Sequence, residues 1–461
     1  MPKLRLGGRR GLDGCADLGT FELEADHLTT HGVIVGMTGS GKTGLVTVLV
    51  EEALSQGIPC FVVDVKGDLS NLRLAVPTLS PAALRPWVEA APGDEDGIAD
   101  EPLVAEVATK RAESLASWGI AEEALAAYGH KTHVRIVTPG SDAGDPLHVL
   151  SALERRSPRW DDDVEGARAT LSAAVSVVLR LVGREAEPGK SREHAFLSIL
   201  AERRLLAGKE APLQELVLDV MDPPISEIAA LPLDDFMSHK TRRELAADLN
   251  TLLAAPSMKS WRTGASLDVA AWMEKVDGKT PATVLSVAHL DEEERQLVLG
   301  VVLEEVLAWV RRLPGTQRLR ALIVFDEIYG FVPPHPASPP TKKPLVSLMK
   351  QARAYGVGVV LATQNPMDLD YRALSNAGVW VLGRLQTDAD RERVLDGLSN
   401  EAGQGQTAEE LSQVLKRLAP RWFVVRDAHA KGGPVLMQPR WAMSLLRGPM
   451  TRTEIRRARA A

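Results

Sequence analysis

The most constraining stretch of this chain is Gly36-Met37-Thr38-Gly39-Ser40-Gly41-Lys42-Thr43, which matches the pattern G-x-x-x-x-G-K-[ST] at every fixed position. Its flanks agree with it. Val33, Ile34 and Val35 ahead of it make a short β-branched run suited to a buried parallel strand. Behind it, Leu45, Val48, Leu49 and Ala53 recur at helical spacing until Gly57. Strand, glycine-rich loop and helix in that order make a cradle for a polyphosphate. Glycines let backbone N–H groups turn inward and the helix N-terminus adds positive dipole. Lys42 then bridges terminal phosphates, and the Thr43 hydroxyl ligates Mg²⁺. Residues 36–44, Gly44 included, are the expected contacts for ATP.

Further strands end in groups that suit such a ligand. The run 60–63 leads into Asp64-Val65-Lys66-Gly67-Asp68. In a parallel sheet the carboxyl ends of strands face the ligand crevice, so Asp64 is expected near the nucleotide; a plain Asp-Gly turn is the alternative. The apolar run 321–325 closes on Asp326 and Glu327. Asp326 is expected to hold Mg²⁺ through its water shell and Glu327 to orient and polarise the attacking water, because phosphoryl transfer needs positioning and charge neutralisation. The run 357–362 ends in Thr363-Gln364, an amide placed to sense the terminal phosphate or hold the lytic water. Arg353, in a predicted helix over 345–355, and Arg384, after a strand over 379–382, are candidates for an arginine finger acting on a neighbouring subunit's nucleotide.

Charge and length limit the remaining possibilities. With 54 basic and 61 acidic side chains among 461 residues, the net charge is −7, so any contact with nucleic acid has to be local. No apolar run approaches a membrane span and the opening residues are polar, which gives a cytoplasmic expectation. Two cysteines and ten scattered histidines make neither a disulfide framework nor a zinc site.

Lys42 and Asp326 lie most of the chain apart, so something large is inserted between strands of one core. The expected class is α/β, with a mostly parallel central sheet and a large helical insertion. The expected division is an N-terminal strand or extension over 1–30, a first core part over 31–75, and a largely helical insertion over 76–278 with a strand near 133–137. A second core part over 279–442 and a basic tail over 443–461 follow. An acidic loop is expected at 92–97. The helix starting near Val164 has three aspartates ahead of it and arginines at its end, matching the macrodipole. Asp291 with Glu294 reads as a capping box. Prolines at 333, 334, 336, 339 and 340 make a loop that ends in Lys342 and Lys343. Either those lysines touch DNA phosphates or the loop is a solvated lid. The runs 422–426 and 434–437 read as a hairpin at a sheet edge. The arginine-rich end reads as a mobile tail, with binding to a neighbouring subunit or nucleic acid as the alternative.

Taken as an ordered set, these motifs resemble the HerA/FtsK superfamily, and within it HerA-like helicases. They are the phosphate loop, Asp64-Val65-Lys66-Gly67-Asp68, Asp326-Glu327, Gln351-Ala352-Arg353-Ala354-Tyr355-Gly356, and Thr363-Gln364-Asn365-Pro366 followed by Leu374-Ser375-Asn376. The likeness spans roughly residues 31–70 and 280–440. It implies a RecA-like P-loop NTPase that hydrolyses ATP with Mg²⁺, assembles as a homohexameric ring and moves DNA through a central pore. It further implies a nuclease partner in DNA-end processing or defence. By the resemblance Lys42, Thr43, Asp326, Glu327 and Gln364 carry hydrolysis, and Arg353 ranks ahead of Arg384 as the finger. One departure is that about thirty residues precede the first core strand, where HerA carries a β-barrel, so docking through a barrel is not implied. A nucleotide-dependent regulatory or scaffolding ATPase and a secretion or conjugation pump are the competing readings.

Overall fold

The computed structural model describes residues 2–88, 100–256, 258–364, 377–385, 387–399 and 408–460. The expected acidic loop at 92–97 and the motif residues Asn365, Pro366, Leu374, Ser375 and Asn376 lie outside them.

Among the described residues, eleven strands form one sheet: β1 Lys3–Arg10, β2 Asp17–Glu24, β3 Gly32–Val35, β4 Cys60–Asp64, β5 Thr132–Val137, β6 Thr280–Ser286, β7 Thr316–Phe325, β8 Tyr355–Thr363, β9 Val379–Leu382, β10 Phe423–Asp427 and β11 Val435–Pro439. Their order is β2-β1-β11-β10-β9-β3-β8-β7-β4-β6-β5. From β9 to β5 neighbours run parallel, and from β9 to β2 they alternate antiparallel. The central parallel strands are short β-branched runs buried on both faces, as helices covering both sides require.

The strand order fixes one neighbourhood and alters one sequence-based expectation. The strand of the phosphate loop, β3, does not adjoin the strand of Asp326; β8 lies between them, paired to both. The C-terminal hairpin β10–β11 is not at an edge, because β1 pairs with β11 and β2 caps the sheet. Sequence pattern alone could not see this, since the pairing joins the two ends of the chain.

Helix α1, Lys42–Ser55, follows β3 and packs on one face of the sheet with β1, β2 and Leu125 and Tyr128 of the inserted region. The other face carries the later helices of the insertion and the second-half helices. These are α2 Val164–Leu181, α3 Arg192–Leu206, α4 His239–Ala254, α5 Glu292–Arg312 and α6 Lys342–Gln351. Asp163 accepts from Gly166 N–H to cap α2, and the expected box at Asp291 and Glu294 caps α5. Leu171, Val175 and Val178 of α2 sit in the same apolar core as Leu297 and Val301 of α5 and Phe325 of β7, so the insertion shares the core of the sheet. A buried bidentate pair between Arg159 and Glu305, at 2.5 and 2.7 Å, ties the two further.

Two basic segments behave differently from their sequence readings. Lys342 is buried at the first turn of α6 and donates to Ala337 O at 3.0 Å, so it stitches the proline loop and is not offered to DNA; Lys343 beside it is exposed. The C-terminal stretch is not a mobile tail. It forms α7, Arg452–Ala460, which buries Ile455 and Ala458 beside Trp87 and Ile136, with Arg456 and Arg459 paired to Asp142 and Asp145. The apolar spacing of Ile455 and Ala458, hidden among arginines, anchors it. No helix among the described residues is long and apolar enough to cross a membrane.

Candidate functional site

The site begins where β3 ends. Gly39 and Gly41 take φ values of 78° and 91°, left-handed backbone that side chains rarely adopt, so the loop can curl above the sheet. The loop is tied to its neighbours through the backbone: Gly36 N–H donates to Thr363 O at 3.2 Å and Met37 N–H to Arg384 O at 3.0 Å. A Cβ on Gly36 would come within 2.6 Å of Ser40 Oγ, so nothing larger fits that turn. Lys42 opens α1 and folds back, donating to Gly36 O at 3.2 Å. Thr43 and Gly44 complete the first turn, whose N–H groups have no acceptor within the helix. Ser40 Oγ is buried without a hydrogen-bond partner among the described residues. An orphaned hydroxyl, unpaired helix N–H groups and a lysine around one concavity fit a bound polyphosphate.

The carboxylates arrive on β7. Asp326 is 4% exposed, and burial pushes its carboxyl up to about 6, with Lys42 pulling the other way. Glu327 has φ 56°, a strained conformation for a residue of this type. Its Oε2 accepts from Lys66 Nζ at 2.7 Å and Gln364 Nε2 at 2.8 Å, and lies 3.7 Å from Lys42 Nζ. Burial alone would raise Glu327, but Lys66, Lys42 and Gln364 together hold it below the usual carboxylate value. Lys42, 7% exposed, is drawn below its ordinary value by burial, against the attraction of Glu327 and Asp326. Gln364, at the tip of β8, also accepts from Thr38 Oγ1 at 2.6 Å. Because β8 lies between β3 and β7, this amide links the phosphate loop to Glu327 in one hydrogen-bonded chain.

The donor set also fits Mg²⁺. No group of three or more His, Cys, Asp or Glu side chains around one point occurs among the described residues. Mg²⁺ is usually held by one or two protein oxygens plus phosphates and water, however, and the Thr43 hydroxyl and Asp326 are of the kind that would take that part.

Asp64 sits differently from its sequence reading, and the two finger candidates lie at opposite ends of the sheet. Asp64 does not offer a free carboxylate. Its oxygens accept from Gly67 N–H at 2.7 Å and from the Ser70 N–H and hydroxyl at 2.8 Å, so it pins the turn after β4. It still lies close enough to Asp326 for its charge to act on that carboxyl. Arg353 is exposed in the short helical turn Ala352–Ala354 just ahead of β8, at the opposite end from Gln364. Eight residue steps of strand separate it from its own phosphate loop by about 26 Å. Arg384 is exposed beside the loop, its carbonyl held by Met37.

Sequence reasoning left two participants unassigned. Lys66 stood in a quoted motif, yet its role as partner of Glu327 depends on β4 lying next to β7. Arg421, between distant elements, donates its N–H to Ser40 O at 2.9 Å and packs against Gly41. No local signal marked it.

Residues 17–80 match the family described as helicase HerA-like C-terminal. No curated protein matches the chain. Among solved structures it is similar to VirB4 of Thermoanaerobacter pseudethanolicus, with TM-score 0.54 and 14% identity over 95% of this chain and 96% of that one. It is also similar to the plasmid coupling protein TrwB in complex with ADP and Mg²⁺, with TM-score 0.51 and 14% identity over 92% and 88%. TrwB with the ATP analogue ADPNP gives TM-score 0.50 and 15% identity over 93% and 88%. The likeness establishes the fold of a P-loop ATPase with a large, mostly parallel central sheet.

Proposed function

Because the local family match and the shared fold support the HerA/FtsK superfamily, we propose that this chain is an ATP-hydrolysing, ring-forming motor of HerA-like type that moves DNA. The observation that carries the reading is the single network of Glu327, Lys66, Gln364, Thr38 and Lys42 at the mouth of the phosphate loop. Glu327, held ionised, takes a proton from water as that water attacks the terminal phosphorus and the bond to the departing ADP oxygen breaks. Gln364 orients that water. Lys42 and the loop N–H groups stabilise the charge that spreads over the phosphate oxygens. Thr43 and Asp326 would hold Mg²⁺, which when bound supplies charge neutralisation between the phosphates.

Arg353 is too far from its own loop to serve it and is exposed, which supports its action on a neighbouring subunit's nucleotide and hence a homo-oligomeric ring. Arg384 stays the second choice, since it lies at its own loop. With −7 overall, DNA contact falls to local basic side chains such as Lys343. A nuclease partner in DNA-end processing or defence extends the same reading.

The test is the ATPase rate with and without duplex and single-stranded DNA, alongside the mass of the assembled particle. Stimulation by DNA in a ring-sized particle is expected. A rate indifferent to DNA but raised by a protein partner would replace the motor with a regulatory switch. A second reading draws on the end-to-end fold likeness to VirB4 and to the plasmid coupling protein: a motor serving a conjugative or secretion complex. DNA-stimulated ATPase that requires such a complex would favour it.

A further inference from the structure

A nucleotide has two ends, and the network described above engages only the terminal phosphates. We infer that a nucleobase subsite lies on the opposite side of the loop, walled by Trp441, Leu446 and the guanidinium of Arg421. The inference rests on the reading of residues 36–44 as a nucleotide cradle and adds to it the place of a purine base.

Direction follows from the geometry. Glu327 and Gln364 mark where the last phosphate is attacked. The remaining phosphates lie along the loop backbone toward the first turn of α1, so the nucleoside leaves past Gly41 and Gly44. The chain there has a built wall. A Cβ on Gly41 would meet Arg421 Cγ at 2.9 Å, and one on Gly44 would meet Leu446 Cδ1 at 3.8 Å. Arg421 is held in left-handed backbone, φ 64°, with its N–H on Ser40 O at 2.9 Å and its Nη2 on Pro439 O at 2.9 Å. Strain of this kind in a residue clamped to the phosphate loop marks a position the fold maintains. Its guanidinium lies 3.4 Å from the centre of the Trp441 ring.

Trp441 and Leu446 are 40% and 39% exposed, while Met443, Ser444 and Met450 of the same segment are buried. The segment is fixed at both ends. Arg440 Nη1 reaches Glu51 at 2.9 Å, Leu445 N–H donates to Leu74 O at 3.1 Å and Met450 N–H to Gly67 O at 3.2 Å. The exposed indole and leucine are therefore a rigid shelf, with one indole face backed by a cation. A flat aromatic surface, an aliphatic side chain and a guanidinium are the groups on which a base stacks, and stacking needs no reading of its hydrogen-bonding edge.

The experiment measures binding of ATP and of inorganic tripolyphosphate to the full chain by calorimetry. It compares wild type, Trp441→Ala, Trp441→Phe, Leu446→Ala and Lys42→Ala, with particle mass recorded for each. Trp441→Ala is expected to weaken ATP about tenfold while leaving tripolyphosphate unchanged. Trp441→Phe should recover most of the loss, and Leu446→Ala should give a smaller loss of the same kind. Lys42→Ala should weaken both ligands. The subsite is overturned if Trp441→Ala leaves ATP affinity unchanged, weakens both ligands equally, or alters only particle mass, the mark of a subunit contact. If Lys42→Ala weakens neither ligand, the cradle reading itself fails and the subsite falls with it.

Discussion

Replacing Glu327 with glutamine removes one negative charge and keeps the shape, and the structure predicts opposite effects on binding and turnover. The Glu327 carboxylate lies 3.7 Å from the Lys42 ammonium. At an effective dielectric of about 20, a unit pair at that separation interacts by about 4 kcal/mol. Polyphosphate must draw Lys42 away from this partner, and the carboxylate also repels incoming phosphate. Lys66, 2.7 Å from the same oxygen, and solvent share the charge, so a third of the interaction, about 1.4 kcal/mol, is a reasonable part to recover. That is about tenfold in Kd. Turnover goes the other way, because a glutamine cannot take a proton from water. Loss of a positioned general base costs about 10²–10⁴-fold in kcat, or about 3–5 kcal/mol of barrier. Equilibrium binding of a fluorescent ATP analogue and steady-state phosphate release read the two quantities separately. Glu327→Gln with wild-type turnover would refute the catalytic assignment. Weakened binding with lost turnover would show that the carboxylate positions Lys42 and does not compete with phosphate.

His31 gives a prediction about acid stability: it is 1% exposed, its Nδ1 accepts from Val359 N–H at 3.1 Å, and burial lowers its pKa to about 4. The folded state then binds fewer protons than the unfolded chain between pH 6.5 and 4, so its stabilisation is present above 6.5 and lost as pH falls toward 4, by about 3 kcal/mol in all. His31→Asn keeps a polar group and cannot titrate, so its Tm should vary less with pH over that window; an unchanged slope would contradict this. Gly41→Ala should cost about 1–2 kcal/mol from left-handed backbone alone. It should weaken ATP as well, through collision with Arg421, and denaturant unfolding with ATP titration checks both. Arg353→Ala should bind ATP normally yet lose turnover, and mixing it with Lys42→Ala subunits should restore part of the rate. Continued inactivity in verified mixed rings would remove Arg353 as a residue acting between subunits.

Local chemistry made much of the candidate site legible in advance. The loop from Gly36 to Gly44, the carboxylates at 326 and 327 and the amide at 364 each carry a strand-end signature that does not depend on distant neighbours. The capping box at Asp291 has the same property, because its two partners are three residues apart. The misplacements share another cause. Asp64 has the right residue type at the right strand end, but hydrogen bonds to Gly67 and Ser70 occupy it. Lys342 lies in a basic pair that reads as exposed, and packing buries it. The arginine-rich end of the chain reads as mobile until Ile455 and Ala458 find an apolar surface supplied by Trp87 and Ile136.

From sequence alone came the candidate phosphate cradle, the acid pair, the amide and a parallel α/β core broken by a helical insertion, because glycine backbone freedom, side-chain chemistry and hydrophobic period act over a few residues. Tertiary structure alone decided that β8 lies between the loop and the acid pair, and that Lys66 closes on Glu327. It also decided that the chain ends meet through β1 and β11, and that Arg421 and Trp441 stand behind the loop. Those facts depend on which strands pair and which faces pack, and the free energy of such contacts belongs to residues far apart in the chain that no local pattern links.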